Sequence, residues 1–234
     1  MRGVFLDAGN TLVRMNYAVI AAELAAHGVR VTAAEVQRAE WRARVRLDTE
    51  VLARRAAGGS TESRSTGGQY LRFLLEGLEV RDDATVEALG AWRRAYNPPV
   101  GLWNTAEPGA EAALALLGGS GARAAVISNS NGSVRSILEA LGLAGSLDFV
   151  IDSSEVGVEK PDPRIFRLAL DRAGIRPDEA VYIGDLYSVD VVGARAVGMD
   201  AVLLDPGGCW GARDCRCAPD LLAAVRLALD GAGE

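Results

Sequence analysis

The chain reads as an α/β protein, a doubly wound, Rossmann-like parallel sheet with an inserted, mainly helical cap domain. Three features predict this. Short continuous apolar runs, Val4-Phe5-Leu6, Ala124-Ala-Val-Ile127 and Ala180-Val-Tyr-Ile183, each stop at a polar cluster, as strands covered on both faces of a parallel sheet do. Helical periodicity runs for more than eighty residues after Leu12 with no strand signal. From Gly101 onward helix and strand patterns alternate with short connections, which marks βα units.

The first strand ends at Asp7-Ala-Gly-Asn-Thr-Leu12. An apolar-periodic helix from Tyr17 to His27 is closed by Gly28, and Thr32-Ala-Ala-Glu35 is a capping box opening a second helix through Trp41 and Val45 towards Arg55. The Gly-, Ser- and Thr-rich run from Gly58 to Gly68 predicts a flexible loop. Helices over Tyr70–Leu78 and Ala84–Tyr96 follow, and Asn97-Pro-Pro-Val-Gly101 ends the helical block. Residues 1–13 and 101–234 are therefore expected to form the core, and residues 14–100 the cap. In the core the pattern predicts helices at Pro108–Leu117, Ser133–Leu141, Pro163–Ala173, a stretch ending at Val197, and Leu221–Leu229. Strands end at Ile127, Ile151, Ile183 and Leu204. Gly207 to Cys217 reads as a loop after the last strand.

With 234 residues, 49% hydrophobic and 24% charged, the composition is that of a soluble globular protein. No apolar stretch reaches bilayer-spanning length, so a cytoplasmic protein without membrane partners is expected. A net charge of −6 argues against nucleic acid as a partner. Residues 14–100 hold 13 arginines against 11 acidic residues, a mild excess that a solvated helix face explains as well as an anionic substrate does. Cys209, Cys215 and Cys217 cluster, but the sole histidine, His27, is distant in sequence; reduced thiols are a simpler reading than a zinc site.

Lys160 is the only lysine, the other 24 basic residues being arginine, and it sits in Gly157-Val-Glu-Lys-Pro-Asp-Pro163. An ammonium is a compact point charge that a guanidinium does not imitate. Asp7, Ser128-Asn-Ser-Asn-Gly132 and Gly184-Asp-Leu-Tyr-Ser-Val-Asp190 lie where strands end, and the carboxyl edge of an open α/β sheet is where ligands bind. One aspartate, one serine, one lysine and an acidic pair are thus expected on a single rim.

In order and spacing this set resembles the four signature motifs of the haloacid dehalogenase (HAD) superfamily, across essentially the whole chain. The helical insertion resembles that superfamily's C1-type cap. The resemblance implies a hydrolase in which Asp7 is the nucleophile, Ser128 and Asn129 with Lys160 bind the substrate's anionic group, and Thr11 hydrogen-bonds near the nucleophile. It implies Mg²⁺ held by Asp7, the Gly9 carbonyl and Asp185. Asp190 is counted with this metal set, where it orients the shell through a metal-bound water or through Lys160. Asn10 stands where the family usually has glycine, and asparagine tolerates the positive φ of such a turn.

Gly9 departs from the pattern. Most phosphatases of the superfamily carry a second aspartate there, which protonates the leaving alcohol and then activates water, and glycine does neither. Three readings follow from the resemblance: a Mg²⁺-dependent phosphatase acting on a small phosphorylated or other anionic substrate, with an impaired or substituted general acid; a 2-haloacid dehalogenase-like hydrolase; and a noncatalytic homologue that binds a phospholigand or protein. The Asp185–Asp190 pair argues against the dehalogenase. A phosphonatase would need a cap lysine, and residues 14–100 contain none. Trp41, Tyr70, Trp92 and Tyr96 are candidates for lining the cleft, though aromatic residues at helical spacing are commonly core.

Overall fold

The computed structural model describes residues 1–54, 60–96 and 101–230. Among these, β1 (Gly3–Leu6) lies inside a six-stranded sheet with β4 (Arg123–Ser128), β5 (Phe149–Asp152), β6 (Ala180–Gly184), β7 (Asp200–Leu204) and β8 (Arg216–Ala218), in the order β5-β4-β1-β6-β7-β8. Every pairing is parallel. The chain builds outward from β1 first on one side and then on the other, so the strand order reverses at β1, and the crevice at its carboxyl end is where such a sheet accepts ligands.

Alternation along each strand divides the core in two. Val4, Leu6, Val126, Val181 and Ile183 face one apolar cluster with helices α5 (Ala110–Ser120), α6 (Val134–Ala140) and α10 (Leu221–Asp230). Phe5, Ala125, Ile127 and Tyr182 face the other, with α8 (Pro163–Ala173) and α9 (Val192–Arg195). A short helix, α7 (Ser153–Val156), follows β5.

The helical insertion leaves and rejoins this core through a two-stranded antiparallel ribbon, β2 (Val13–Arg14) against β3 (Thr105–Ala106). It contains α1 (Tyr17–Ala26), α2 (Ala33–Arg46), α3 (Arg64–Gly77) and α4 (Asp83–Tyr96), packed on an apolar cluster of their own that includes Leu24, Val36, Phe73, Leu75 and Leu89. The capping box at Thr32 is formed, with Glu35 N donating to Thr32 Oγ1 and Thr32 N to Glu35 Oε2. A π-helical turn, Leu47–Leu52, continues α2, and its Asp48 carboxylate accepts from Ser188 N at 3.1 Å and from the Ser188 hydroxyl. The insertion is thereby pinned to the core turn Tyr187–Val191.

Two segments differ from the sequence expectation. Helix α3 begins at Arg64, inside the run read as a loop, because the Ser63 hydroxyl caps Thr66 N. A Cβ on Gly67 would stand 3.3 Å from the Arg93 guanidinium, which donates to the Gly67 carbonyl. The cysteine-rich segment read as a loop supplies β8, an edge strand too short and polar to show in the sequence. The ends at Arg55 and Asn97-Pro-Pro-Val100 lie outside the described residues.

Candidate active site

A cleft of ≈ 640 Å³ opens between the carboxyl edge of the sheet and α2, α3 and α4. Asp7, immediately beyond β1, continues the sheet by donating its N–H to the Ile183 carbonyl at 2.8 Å. The chain then turns sharply, with Asn10 at φ 52°, the left-handed conformation expected of it. Ser128 ends β4 and Asp185 follows β6, so three strand ends deliver three polar side chains to one rim.

Lys160 is buried at the floor of the cleft. Its Nζ meets Asp7 Oδ1 at 2.9 Å, Asp190 Oδ1 at 2.8 Å and Tyr182 Oη at 2.8 Å. Burial alone would lower its pKa, but Asp190 and Asp7 reverse that, so it is a fixed cation. Asp190 spends its other oxygen on the backbone N–H groups of Asp185 and Leu186 at 3.0 and 2.9 Å. This explains Gly184, where a Cβ would lie 2.4 Å from the Asp190 carboxyl. With both oxygens engaged, Asp190 organises the cluster and has less to offer a metal than Asp7 or Asp185.

One carboxylate oxygen each from Asp7, Asp185 and Asp190 lies within 4.8 Å of the others. Burial pushes Asp7 up to about 6, against the pull of Lys160, and holds Asp185 well above the usual carboxylate range. Crowded, desolvated carboxylates of this kind suit a hard divalent cation, which takes oxygen ligands and relieves their repulsion. The residues therefore fit Mg²⁺, with Asp7 and Asp185 as the available ligands. The helical insertion competes for one of them: Arg44 Nη1 stands 3.3 Å from Asp185 Oδ2, which also accepts from Asn10 Nδ2 at 3.0 Å. Arg44 is buried and paired with Glu40, whose carboxylate also accepts from Tyr17 and Tyr70.

Three expected residues behave differently. Thr11 is wholly buried, and its hydroxyl has no hydrogen-bond partner among the described residues. Asn129 cannot offer its amide to a substrate: Nδ2 donates to Thr61 Oγ1 and the Lys160 carbonyl, both at 2.9 Å, and Oδ1 accepts from Lys160 N at 2.7 Å. It is a clamp between the Lys160 segment and the helical insertion. Gly9 lies beneath Trp103, whose ring atoms come within 3.4 Å of where a Cβ would be, so the space above it is walled by an indole. Ser128 keeps its hydroxyl nearly free, with one long 3.4 Å contact to the Asn129 carbonyl.

Of the four aromatic candidates only Tyr70 borders this cleft. Trp41 packs on the loop at Gly207, and Trp92 stacks with Tyr96 at 5.2 Å. The three cysteines are free thiols.

The comparisons with known proteins agree on the family. A family model described as haloacid dehalogenase-like hydrolase matches residues 1–198. The haloacid dehalogenase-like hydrolase domain-containing protein 3 of Bos taurus is 32% identical over 201 residues, covering 85% of this chain and 79% of its own. The chain belongs to the haloacid dehalogenase-like hydrolases. The hydrolase is also 42% identical over 115 residues to phosphoserine phosphatase of Thermus thermophilus, a stretch covering 49% of this chain and 45% of that one. A magnesium-bound crystal structure of the Bacillus subtilis HAD-hydrolase YfnB covers 97% of the hydrolase and 98% of its own chain with a TM-score of 0.63 at 13% identity, a likeness of fold alone.

Sequence reasoning on this hydrolase missed Tyr182, Glu40, Arg44, Glu62 and Trp103. Tyr182 left a signal, a hydroxyl inside an otherwise apolar central strand. Its Oη accepts from Lys160 and donates to the Ile127 carbonyl at 2.8 Å. Glu40 and Arg44 are an i,i+4 pair indistinguishable in sequence from a solvated one. Among the described residues no helix is long and apolar enough to cross a membrane.

Proposed function

We propose that this hydrolase is a Mg²⁺-dependent phosphatase working through an aspartyl phosphate on Asp7, with residues 14–100 as its cap. The observation that carries the reading is the carboxylate set of Asp7, Asp185 and Asp190 around a buried Lys160. Phosphatases among its relatives, such as the phosphoglycolate phosphatase of Rhodospirillum rubrum, support the substrate class.

Lys160 holds Asp7 Oδ1 and leaves Oδ2 to attack phosphorus. Its charge, fixed by Asp190 and Tyr182, offsets the repulsion between a carboxylate and an anionic substrate. The Ser128 hydroxyl is placed to donate to a phosphoryl oxygen. Mg²⁺, held by Asp7, the Gly9 carbonyl and Asp185, would supply electrostatic stabilisation of the phosphoryl charge. The arginine-bearing cap would enclose the substrate and exclude water from the first step.

The Arg44–Asp185 ion pair favours a second reading. An arginine already neutralises the metal ligand, which suits a metal-free, 2-haloacid dehalogenase-like displacement. A phosphate-release screen over sugar, aryl and acyl phosphates with Mg²⁺ or EDTA, alongside halide release from 2-haloacids, separates the two. Phosphate release that needs Mg²⁺ and vanishes in Asp7→Asn is expected. Halide release undiminished by EDTA would replace the phosphatase with the dehalogenase.

A further inference from the structure

On the phosphatase reading, an alkyl phosphate needs a proton at its leaving oxygen, because an alkoxide departs poorly. Among the described residues lining the cleft, few can give one. Asp7, Asp185 and Asp190 crowd around Lys160, whose own contacts are taken. The arginines do not release protons at neutral pH. Tyr70 donates its hydroxyl hydrogen to Glu40, and burial with that carboxylate beside it holds its pKa well above the ordinary value. Glu62 remains, among the described residues the only cleft-lining carboxyl outside the acidic cluster, and its carboxylate forms no hydrogen bond or ion pair with them.

The loop that carries it is fastened to the motifs on either side of the nucleophile. Glu159, next to Lys160, accepts from Ser60 Oγ at 2.7 Å and from Thr61 N at 3.0 Å. Asn129, next to Ser128, donates to Thr61 Oγ1. Glu62 N in turn donates to Ser60 Oγ at 3.0 Å, and Ser63 caps α3 directly after it. The loop is positioned by the catalytic motifs themselves, and it brings its acid to the cleft that Gly9 leaves without one.

We infer that Glu62 donates the proton to the leaving oxygen and then accepts one from the water that frees phosphate from Asp7. In the first step Asp7 Oδ2 bonds to phosphorus as the phosphorus–oxygen bond to the alcohol breaks. The electron pair goes to the alcohol oxygen, which takes the Glu62 proton. In the second, water attacks phosphorus, its proton passes to the Glu62 carboxylate, and the bonding pair returns to Asp7, giving inorganic phosphate and the starting enzyme. The charge environment suits both roles. Glu62 lines the cleft and is exposed to solvent, yet the protein around it desolvates it enough to push it up to about 7, with Glu159, Asp7 and Asp152 raising it further and Arg93 opposing.

The test uses the full chain with Mg²⁺, β-glycerophosphate and 4-nitrophenyl phosphate. Glu62→Gln should lower kcat/KM for β-glycerophosphate by about 10²- to 10⁴-fold. The first-turnover burst of 4-nitrophenol, whose leaving group needs no proton, should change by about tenfold or less, and phosphorylated Asp7 should persist. Wild-type turnover of β-glycerophosphate should fall above about pH 7, where Glu62 loses its proton. The burst should lack that limb, and Glu62→Asp should recover part of the lost rate. Equal losses on both probes, no loss on either, or a wild-type enzyme that cleaves 4-nitrophenyl phosphate but not β-glycerophosphate would overturn the role of Glu62 alone. No phosphate release by wild type from either probe would instead overturn the phosphatase reading beneath it.

Discussion

Two buried cations approach the same acidic cluster from different parts of the molecule, and they are held differently. Lys160, from the core, has a partner for each ammonium hydrogen, in Asp7, Asp190 and Tyr182. Arg44, from the cap, is locked to Glu40 but keeps an Nη1 without a hydrogen bond, standing 3.3 Å from Asp185. A saturated cation is a fixed part of the site. An arginine with a donor to spare beside a shared carboxylate is one whose contact can be exchanged when a better cation arrives. The core therefore sets the chemistry, and the cap sets how readily the acidic cluster is free to use it.

Removing the core cation should have the largest effect. Lys160→Met leaves the Asp7 and Asp190 carboxylates without a cation, Asp190 keeping only its backbone donors, and breaking such a buried pair typically costs about 3–5 kcal/mol. Turnover should fall to background, because nothing then offsets the repulsion between Asp7 and an anionic substrate. Urea unfolding and phosphate release check both halves. A variant that keeps wild-type stability would show that Asp7 and Asp190 find relief elsewhere.

Arg44→Met should cost less, about 3 kcal/mol at the low end of the same range, because Tyr17 and Tyr70 still donate to Glu40. It should also tighten divalent cation binding, since Asp185 loses its internal counter-charge. Calorimetric titration with Mn²⁺ reads this directly. Weaker binding in the variant would mean that Arg44 orders the site for the cation and does not compete with it.

The same contrast explains what the sequence showed. Asp7, Ser128 and Asp185 were legible because each terminates or adjoins an apolar strand, and Lys160 because a lone lysine stood out against an all-arginine background. The sheet was legible for the same reason. The cap contribution was not. Arg44 and Glu40 look like a surface pair, and only tertiary packing buries them. Glu62 sits in a polar loop whose sequence does not show which way its carboxyl faces, and only the hydrogen bonds from Ser60 and Thr61 to Glu159 fix that loop beside the cleft. The resemblance implies a substrate-binding role for Asn129, but its amide is spent on Thr61 and Lys160. Short edge strands such as β8 carry too few residues for a period to appear.

The smallest expected effect lies where cap and core are pinned together. Burial pushes Asp48 up to about 6, although its hydrogen bonds from Ser188 pull the other way. Unfolded, the group titrates near its ordinary value of 3.8. Between those two values the folded protein holds the Asp48 proton more often than the unfolded chain does. The stability this group contributes is therefore present at acidic pH and is lost as pH rises towards 6, with nothing further lost above it. Glu107, pushed up to about 7 by burial against the pull of Arg44 and Arg14, adds a loss of the same sign that extends slightly higher. The Mg²⁺-free protein should thus melt at a higher temperature at pH 5.5 than at pH 8. Asp48→Asn, which keeps an oxygen for Ser188 but cannot ionise, should narrow that gap by about 2–4 °C per kcal/mol of lost difference. Melting curves at the two pH values decide it. A gap unchanged or widened in Asp48→Asn would mean that Ser188 stabilises the ionised carboxylate enough to cancel the burial, and that the pin holds as firmly at neutral pH as in acid.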